Sequence, residues 1–332
     1  MNIAVIGLGN LGSAIANALA HNGHHVLGWE HDVSVVAEIN DYHANIRYLP
    51  DVIFHANVQA TNSLNEALAF AEIVFICLPT RYFSAVLDAM AKQLSLHVPI
   101  VNMAKGLNAV TRQTAMQMLA SRLPEHDLAM LSGPSLANEF SKGKNTIVVA
   151  ASVDDRLAAN IRHLLQTKRF TVLLSRDVVG IELGAIFKNV YALGMGMAGG
   201  AKVSGLDFAG AYLVQALWEI QQLGQKLGAQ GDSFLGVAGL GDLIATAMSE
   251  DSHNYTCGKW LGEGYHLPEI EKIMGTLPEG INTLRVMLFM AQDYQLELPL
   301  ASLLRQVIDH ELAMSDFYQQ FNACLLHEKG MV

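Results

Sequence analysis

The chain has 332 residues and a mass of 36.0 kDa, a length typical of two domains. With 51% hydrophobic and 16% charged residues it can bury a large core, which excludes a mainly disordered chain. Its 21 basic and 31 acidic residues give a formal net charge of −10, so we expect no nucleic-acid partner.

Targeting and metal-binding signals are missing from the sequence pattern. Residues 1–7 lack the basic start and the cleavage site of a secretory signal, and no apolar run approaches the ~20 residues that span a bilayer. Cys77, Cys257 and Cys324 are too far apart in sequence to form a metal-ligand or redox pair. We therefore expect a cytoplasmic protein with no metal site and no integral membrane contact.

Short strands alternate with helices in the first half of the chain. Strands are predicted at residues 2–7, 25–29, 73–78, 99–103, 128–131, 146–150 and 170–174. Helices are predicted at residues 12–22, 63–71, 82–93, 111–123 and 154–167. This alternation predicts an α/β fold with a doubly wound, parallel sheet that is covered on both faces.

The second half is predicted to be entirely helical. Helices are predicted at residues 179–197, 208–227, 283–292 and 301–317. The second of them carries an apolar stripe with a helical period, formed by Leu213, Ala216, Leu217, Ile220, Leu223 and Leu227. We therefore predict two domains, a sheet domain at 1–178 and a helical domain at 179–332.

A glycine-rich loop follows the first predicted strand. Gly7, Gly9 and Gly12 fit the spacing G-x-G-x-x-G between that strand and a helix. One glycine allows the tight turn, one lets the backbone approach a pyrophosphate, and one allows close helix–strand packing. The first N–H groups of the helix then point at the phosphates. In this context we expect a dinucleotide-binding loop rather than an ordinary strand–helix turn.

An acidic residue ends the second predicted strand. Glu30 lies eighteen residues after Gly12, close to the ~20 expected for an acid that binds the ribose. A carboxylate there accepts hydrogen bonds from both ribose hydroxyls and repels a 2′-phosphate, which favours NAD over NADP. The alternative is that Glu30 or Asp32 only caps the following helix, and this alternative is strongest for Asp32.

Two further polar segments follow predicted strands, where a doubly wound sheet binds its ligands. Lys105 follows the strand at 99–103 and is placed to meet substrate or cofactor; the alternative is a solvated loop lysine. Ser132-Gly133-Pro134-Ser135 follows the strand at 128–131 and offers a hydroxyl and amides to a polar ligand. Taken alone, a simple turn is the better explanation of that segment.

Lys188 stands in an unusually apolar predicted helix. Burying a lysine costs free energy, and burial lowers the pKa of a lysine towards the range of an acid–base catalyst. The alternative is a lysine that reaches water from the edge of the helix. We favour the catalytic interpretation because Gly184, Gly194 and Gly196 open space around Lys188.

Two polar segments complete the second half. Asp242 follows a glycine turn and shares a helix face with Thr246, four residues later. The alternative is an N-cap aspartate with a surface threonine. Ser252, His253 and Asn254 precede another predicted helix, and a phosphate site and a polar loop fit them about equally well.

Taken together, these segments resemble the NAD(P)-dependent glycerol-3-phosphate dehydrogenases of the bacterial soluble type. The matching stretches occur in family order and cover nearly the whole chain, so the ordered set is far more specific than any one of them. They are Gly7 to Gly12, Asn45-Ile46-Arg47-Tyr48-Leu49-Pro50, Lys105-Gly106-Leu107, Leu131-Ser132-Gly133-Pro134-Ser135, Phe187-Lys188-Asn189-Val190, Ala238-Gly239-Leu240-Gly241-Asp242-Leu243 and Pro278-Glu279-Gly280.

The resemblance implies a Rossmann-like N-terminal domain, a helical C-terminal domain with the active site between them, and a homodimer. It implies that Lys188 is the catalytic lysine and that Lys105, Asp242 and Thr246 are its active-site partners. The predicted cofactor site consists of Gly7, Gly9, Asn10, Leu11, Gly12, Glu30, His31, Lys105, Ala137, His253 and Glu279. The predicted site for a small phosphorylated triose consists of Lys105, Gly133, Ser135, Lys188, Asn189, Asp242, Ser252, His253 and Asn254.

Two histidines depart from the family pattern. His253 stands where the family has an arginine that holds phosphate and cofactor, and Arg285 and Lys259 are the candidates to compensate. His31 stands where an arginine is common, which members that accept NADPH can use on the 2′-phosphate. Because a neutral histidine does not replace a bidentate guanidinium, His31 strengthens the preference for NAD, with NADP less favoured.

Two other functions remain open at this point. A β-hydroxyacid dehydrogenase or a ketopantoate reductase also has a glycine loop and a lysine on the first helix of a helical domain. The Gly-Pro-Ser and Gly-Leu-Gly-Asp stretches argue against both. A nucleotide-sensing protein without turnover would explain His253, but the retained lysine and aspartate argue against that function.

Overall fold

The chain divides into two compact units, one that ends at Val178 and one that begins at Val179. A computed structural model describes residues 1–327, so residues 328–332 of the predicted helical domain lie outside the described residues. The first unit contains the sheet and the second is helical, as the fold class predicted from sequence requires.

The first unit alternates strands and helices. Its strands are β1 Asn2–Ile6, β2 His25–Trp29, β3 Ala44–Asn45, β4 Leu49–Ile53, β5 Val58–Thr61, β6 Ile73–Ile76, β7 Ile100–Asn102, β8 Leu128–Ser132, β9 Thr146–Ala151 and β10 Phe170–Ser175. Its helices are α1 Asn10–His21, α2 Val33–Tyr42, α3 Leu64–Phe70, α4 Thr80–Gln93, α5 Ala115–Arg122, α6 Ala137–Phe140 and α7 Asp155–Leu165.

Eight of these strands form one sheet in the order β10-β9-β8-β7-β6-β1-β2-β5. The first strand lies between β2 and β6 and is parallel to both. The chain extends the sheet on one side of β1 and then on the other, so the carboxyl end of β1 is a topological switch point. All four residues of β6 and residues 3–6 of β1 are buried, because helices cover both faces of the sheet.

The sheet is parallel, as predicted, except at one strand pair. Strand β8 pairs with β9 in the antiparallel direction. A parallel return requires a crossover that runs back along the whole strand. The connection between these two strands contains only the four-residue helix α6. Such a helix is about 6 Å long, which is too short to return along a five-residue strand of roughly 17 Å.

Residues 33–61 contain elements that the sequence pattern did not predict. Helix α2 begins after Asp32, whose side chain accepts a hydrogen bond from the Ser34 amide, so the capping alternative is confirmed for Asp32. Strand β4 alternates irregularly between buried and exposed positions, which explains why no strand was predicted there. Helix α5 begins at Ala115, later than predicted, because Thr114 and Gln117 form a capping box.

The second unit is built from helices. They are α8 Val178–Gly200, α9 Leu206–Lys226, α10 Asp242–Ala247, α11 His253–Gly262, α12 Leu267–Met274, α13 Glu279–Asp293, α14 Pro299–Ile308 and α15 Met314–His327. A 3₁₀ turn at Gly231–Leu235 and a π turn at Val237–Gly241 precede α10.

Two predictions for this unit are wrong. The single helix predicted at 301–317 is two helices, α14 and α15, and His310 between them has a φ of 60°, a left-handed conformation that ends a helix. The sequence analysis also expected no apolar run long enough to span a bilayer. Helix α8 is nevertheless long and apolar enough to do so, by length and composition alone. The structure buries 89% of its most apolar window, as in the core helix of a soluble protein.

Candidate active site

The glycine loop lies at the carboxyl end of β1 and leads into α1. Gly7 has a φ of 96°, which only glycine adopts readily, and a Cβ on Gly12 would overlap the carbonyl oxygen of Gly7. A Cβ on Gly9, by contrast, would meet no atom within 4 Å. Gly9 is the N-cap of α1 and supplies no capping side chain. The loop therefore keeps an open position beside the first amides of α1, which fits a pyrophosphate.

Glu30 is buried directly beside this loop. Its Oε2 accepts a hydrogen bond from the Leu8 amide at 3.1 Å, and its Oε1 accepts from the His31 amide at 2.9 Å. The exposed His31 ring approaches the same Oε1 with its Nδ1 at 2.5 Å. Glu30 thus fixes the conformation of the loop, and it lies at the end of β2 where a ribose acid is expected.

Contacts of Asn45 and Asn10 that support the loop were not predicted. Asn45 donates from Nδ2 to the Leu8 carbonyl at 2.8 Å and to the Ser13 hydroxyl at 2.9 Å. Asn10, which was predicted to bind cofactor, donates to the Tyr48 carbonyl at 2.7 Å and to Asn138 at 3.0 Å. The resemblance at 45–50 pointed to this segment, but the sequence alone gave no contact between it and the loop.

A permanently charged side chain also lies at this end of β2. Arg47 contacts the Asp32 carboxylate at 3.1 Å, next to His31 in sequence. Because fifteen positions separate Arg47 from Asp32, no local sequence pattern could have predicted this pair. Arg47 therefore holds a guanidinium beside Asp32, the N-cap of α2, just after the end of β2.

The other predicted residues of the first unit follow parallel strands and so share the edge of the glycine loop. Lys105 follows β7 after a turn that Asn102 holds, since its Oδ1 accepts from the Ala104 amide at 3.0 Å. Gly133 follows β8 with a φ of 140°, and the Ser135 hydroxyl donates to its carbonyl at 3.0 Å. Leu11 and Ala137 lie in the first turns of α1 and α6 and pack against the core of the unit.

The central side chain of the second unit is Lys188. It is 4% exposed, and its Nζ forms an ion pair with Oδ1 of Asp242. The same Nζ donates to the Thr246 hydroxyl at 2.8 Å, and that hydroxyl lies 3.5 Å from Asp242 Oδ1. Asp242 and Thr246 share one face of α10, as predicted. Asp242 is not an N-cap, because Gly241 holds that position.

The three glycines near Lys188 do not leave open space. A Cβ on Gly184 would lie 3.1 Å from the Ala238 carbonyl oxygen, in the turn that leads to Asp242. Gly194 admits the hydroxyl of Tyr212, and Gly196 admits the backbone carbonyl of Tyr255. The expectation of space around Lys188 is therefore wrong. The glycines let other helices approach α8 closely, so they fix its surroundings.

Helices α8 and α11 make the closest of these approaches. A Cβ on Gly196 would overlap the Tyr255 carbonyl, and a Cβ on Gly258 would overlap the Leu193 carbonyl. Gly200 and Gly262 repeat this reciprocal contact one turn further along. Small residues at a four-residue spacing let two helix backbones touch. This contact fixes the start of α11 relative to the helix that carries Lys188.

Three further predicted residues meet at the start of α11 and α13. Asn254 accepts a hydrogen bond from the Gly280 amide at 3.0 Å, next to Glu279, the first residue of α13. A Cβ on Gly280 would lie 2.8 Å from the Asn189 carbonyl oxygen. Asn189 and Asn254 are thus brought together with Glu279 through backbone contacts that sequence spacing could not show.

Ser252 and His253 form the first turn of α11. The Ser252 hydroxyl caps the helix by accepting from the Tyr255 amide at 3.3 Å, and His253 is the first helical residue and is exposed. The two candidate replacements for the family arginine are both held by acids. Lys259 pairs with Glu250 at 2.9 Å, and Arg285 pairs with Asp309 at 3.6 Å.

Metal ligation does not enter the description of this site. Among residues 1–327, the structure contains no group of three or more His, Cys, Asp or Glu side chains that could hold a metal ion. The arrangement instead offers a loop for phosphates in the first unit and a buried amine, paired with a carboxylate and a hydroxyl, in the second. That amine can exchange a proton with a bound molecule.

Two family models match the chain. The NAD-dependent glycerol-3-phosphate dehydrogenase N-terminus matches residues 2–158, and the C-terminus of the same family matches residues 177–319. The glycerol-3-phosphate dehydrogenase [NAD(P)+] of Ectopseudomonas mendocina is 38% identical over 306 residues, which covers 92% of this chain and 89% of the relative. The chain belongs to the NAD-dependent glycerol-3-phosphate dehydrogenase family.

Other members of this family agree in sequence and structure. The glycerol-3-phosphate dehydrogenase [NAD(P)+] of Staphylococcus carnosus is 35% identical over 317 residues and covers 95% of both chains. The crystal structure of glycerol-3-phosphate dehydrogenase from Coxiella burnetii superposes with a TM-score of 0.90 at 29% identity, over 98% of both chains. The resemblance inferred from the ordered stretches is confirmed. The family matches do not favour a β-hydroxyacid dehydrogenase or a ketopantoate reductase.

Proposed function

We propose that this member of the family interconverts sn-glycerol 3-phosphate and dihydroxyacetone phosphate by reversible hydride transfer with a nicotinamide cofactor. The observation that carries the proposal is the Lys188 amine, buried on α8 and paired with Asp242 and Thr246. A buried lysine with an ordered acid and hydroxyl is suited to proton exchange with a secondary alcohol. Neither a sensing role nor a structural role requires this arrangement.

The dinucleotide fits the first unit. Gly9 leaves an open position, α1 begins without a capping side chain, and Glu30 lies at the end of β2. When bound, the nicotinamide cofactor supplies or accepts the hydride. The residues of the chain that would hold it are those of the glycine loop, with Glu30 on the ribose.

Lys188 balances the reaction with a proton. In the reductive direction the carbonyl π bond breaks as the carbon gains a hydride, and the oxygen gains a proton from the Lys188 ammonium. In the oxidative direction the Lys188 amine removes the hydroxyl proton. Asp242 and Thr246 hold the amine in one place, which reduces the cost of reaching the reactive geometry. We assign Lys105 to polarising the carbonyl.

Glu30 is proposed to select NAD over NADP. Replacing Glu30 by glutamine removes a negative charge while keeping an acceptor for the Leu8 amide. Like charges across an interface cost several kcal/mol, so we expect the ratio of kcat/KM for NADPH to that for NADH to rise at least about tenfold. Steady-state rates with both cofactors measure this ratio. Glu125→Gln, at an exposed position of the same unit, is the control. An unchanged ratio would exclude Glu30 as the selecting residue.

His253 is proposed to contact the substrate phosphate as a weaker substitute for an arginine. Because Lys259 and Arg285 are both paired with acids, neither offers a free guanidinium or ammonium in its place. Introducing His253→Arg adds a permanent, bidentate charge at the first turn of α11. We expect the KM for dihydroxyacetone phosphate to fall by about 10-fold, the value of one charge-assisted contact.

The matched control for that prediction is His163→Arg, which adds the same charge at an exposed position of α7. Initial rates at varied triose phosphate give KM for both chains. The assignment fails if His253→Arg leaves KM where the control leaves it.

The proposed reaction is tested by following NADH and NADPH oxidation with dihydroxyacetone phosphate and with a panel of β-keto acids and ketopantoate. We expect turnover with the triose phosphate and a higher kcat/KM with NADH. Turnover only with another carbonyl compound would replace the substrate assignment. NADH binding by calorimetry without oxidation of NADH by any compound would favour the sensing function.

The resemblance also supports a homodimer that works in the cytoplasm on a small phosphorylated triose. Light scattering after size exclusion tests the assembly, with twice 36.0 kDa as the expected mass.

A further inference from the structure

Another buried carboxylate, Glu219 on α9, lies outside the Lys188 cluster. Its Oε2 accepts hydrogen bonds from the Tyr191 hydroxyl at 2.8 Å and from the Ala301 amide at 3.0 Å. Its Oε1 accepts from the Leu300 amide at 2.6 Å and from Gln215 at 3.1 Å. Glu219, Tyr191 and Gln215 have no exposed surface. This one carboxylate therefore links α8, α9 and α14 in the interior of the unit.

Glu219 replaces a missing cap on α14. Leu298 precedes that helix and has no side chain that could cap it, and Pro299 is its first residue. The amides of Leu300 and Ala301 have no partner within their own helix, because each helix leaves its first N–H groups unpaired. The carboxylate from α9 accepts from both, and a negative charge at this end is also favoured by the helix dipole.

Tyr191 is held at two of its atoms. Its hydroxyl donates to Glu219, and its backbone carbonyl accepts from the Tyr212 hydroxyl at 2.9 Å. Gly194 makes the second contact possible, because a Cβ there would overlap the Tyr212 hydroxyl. Tyr191 is three residues after Lys188, and residues at that spacing are neighbours on one side of a helix. A rotation or shift of α8 that broke these bonds would also move Lys188.

We propose that Glu219 is a positioning residue for Lys188. By linking Tyr191 to the N-terminus of α14, it fixes the rotation of α8 and its position along the helix axis, and thereby the position of the Lys188 amine. The inference rests on the function proposed above, because it assigns the accuracy of proton transfer to a carboxylate that does not touch the reacting groups.

The charge state of Glu219 decides how many of its four hydrogen bonds it can accept. An ionised carboxylate is acceptor-only and has about four acceptor positions, and four donors surround Glu219. A protonated carboxyl has one O–H donor, so it must donate in one of these hydrogen bonds instead of accepting, or lose that bond. Burial raises the pKa of Glu219 to about 7, although its hydrogen bonds oppose the rise. The facing titratable groups are Tyr191 and Tyr212, and burial raises the pKa of both well above its ordinary value, so they stay neutral.

Activity and stability should respond to this ionisation in opposite directions. As the pH falls through about 7, Glu219 becomes protonated, the clamp on Tyr191 weakens, and kcat falls. The folded-state pKa is above the ordinary glutamate value of 4.5, so the stability from this group is fully present below about 4.5 and is lost as the pH rises through about 7. A fall in kcat towards acidic pH therefore cannot be attributed to unfolding caused by Glu219.

The test is Glu219→Gln in the full chain, a neutral side chain of the same shape. We expect kcat with dihydroxyacetone phosphate to fall roughly 10-fold at pH 8, since small misplacements of a catalytic group cost that much or more. The wild-type fall in kcat near pH 7 should be absent from the variant. The NADH dissociation constant should be unchanged. Glu271→Gln, an exposed position on α12, should match the wild type in every measurement.

A second variant keeps the test decisive if Glu219→Gln does not fold. Tyr191→Phe removes one of the four hydrogen bonds that lower the pKa of Glu219. It should therefore lower kcat and move the ionisation of kcat to higher pH. Wild-type kcat and an unchanged pH profile in a folded variant would overturn the positioning role. If the wild type itself shows no turnover with the triose phosphate, the proposed function fails first and the positioning role fails with it.

Discussion

Replacing Lys188 by methionine is expected to lower kcat for reduction of dihydroxyacetone phosphate by about 10²–10⁴-fold, the usual contribution of a positioned acid–base group. Methionine keeps most of the volume of the side chain and removes the proton donor. The NADH dissociation constant should stay within a factor of about two, because the loop proposed to bind the cofactor is in the other unit. Steady-state rates and calorimetry measure the two quantities.

The kcat of Lys188→Met must be interpreted together with its free energy of unfolding. Removing one partner of a buried ion pair leaves the other charge uncompensated, at a cost of about 3–5 kcal/mol. Here that charge is Asp242, which is 2% exposed. The control is Lys272→Met, which removes a lysine from an exposed position of α12. A folded Lys188→Met chain with control-like kcat would remove Lys188 from the mechanism.

The glycine loop gives the second large effect, because two of its glycines are predicted to fail in different ways. Gly9→Ala should weaken NADH binding at least about 10-fold, because we propose that the backbone at that glycine approaches the pyrophosphate. It should leave the free energy of unfolding equal or slightly higher, since the φ of −66° and ψ of −166° suit alanine and no atom lies within 4 Å of the new Cβ.

Gly12→Ala should instead destabilise the folded chain. The new Cβ would overlap the Gly7 carbonyl oxygen, which belongs to the backbone and cannot move without opening the loop. Such overpacking costs about 1–3 kcal/mol, which urea unfolding measures. Gly210→Ala on α9, where nothing lies within 4 Å of the Cβ, controls for the substitution itself. Wild-type NADH affinity in Gly9→Ala would show that the loop is an ordinary turn.

Features that depend on local patterns could be predicted from the sequence. The buried strand β1, the glycine spacing and the start of α1 all lie within residues 2–12. Lys188 was singled out because a lysine in an apolar helix is costly without a partner, and the structure shows that it is buried and paired. The partner itself came from the resemblance, because 54 positions separate Asp242 from Lys188 and no periodicity connects them.

Features that depend on contacts between distant elements could not be predicted. The glycines of α8 are typical of a helix that other elements approach closely. Only the structure shows that Ala238, Tyr212 and Tyr255 contact α8 at these glycines. The antiparallel β8–β9 pair depends on the short α6, and the break after Ile308 depends on one left-handed histidine. Glu219 had a usable signal that we overlooked: it lies among the buried positions Ala216, Ile220 and Leu223 of the predicted stripe.

Single-turnover oxidation of NADH on mixing with dihydroxyacetone phosphate tests the central claim most directly. It should be measured in the wild type and in the Lys188→Met/Asp242→Asn chain, which removes both buried charges and so avoids an unpaired one. The account predicts rapid oxidation in the wild type and a rate at least about 100-fold lower in the double variant, with equal NADH affinity. Equal rates in the two folded chains would contradict it.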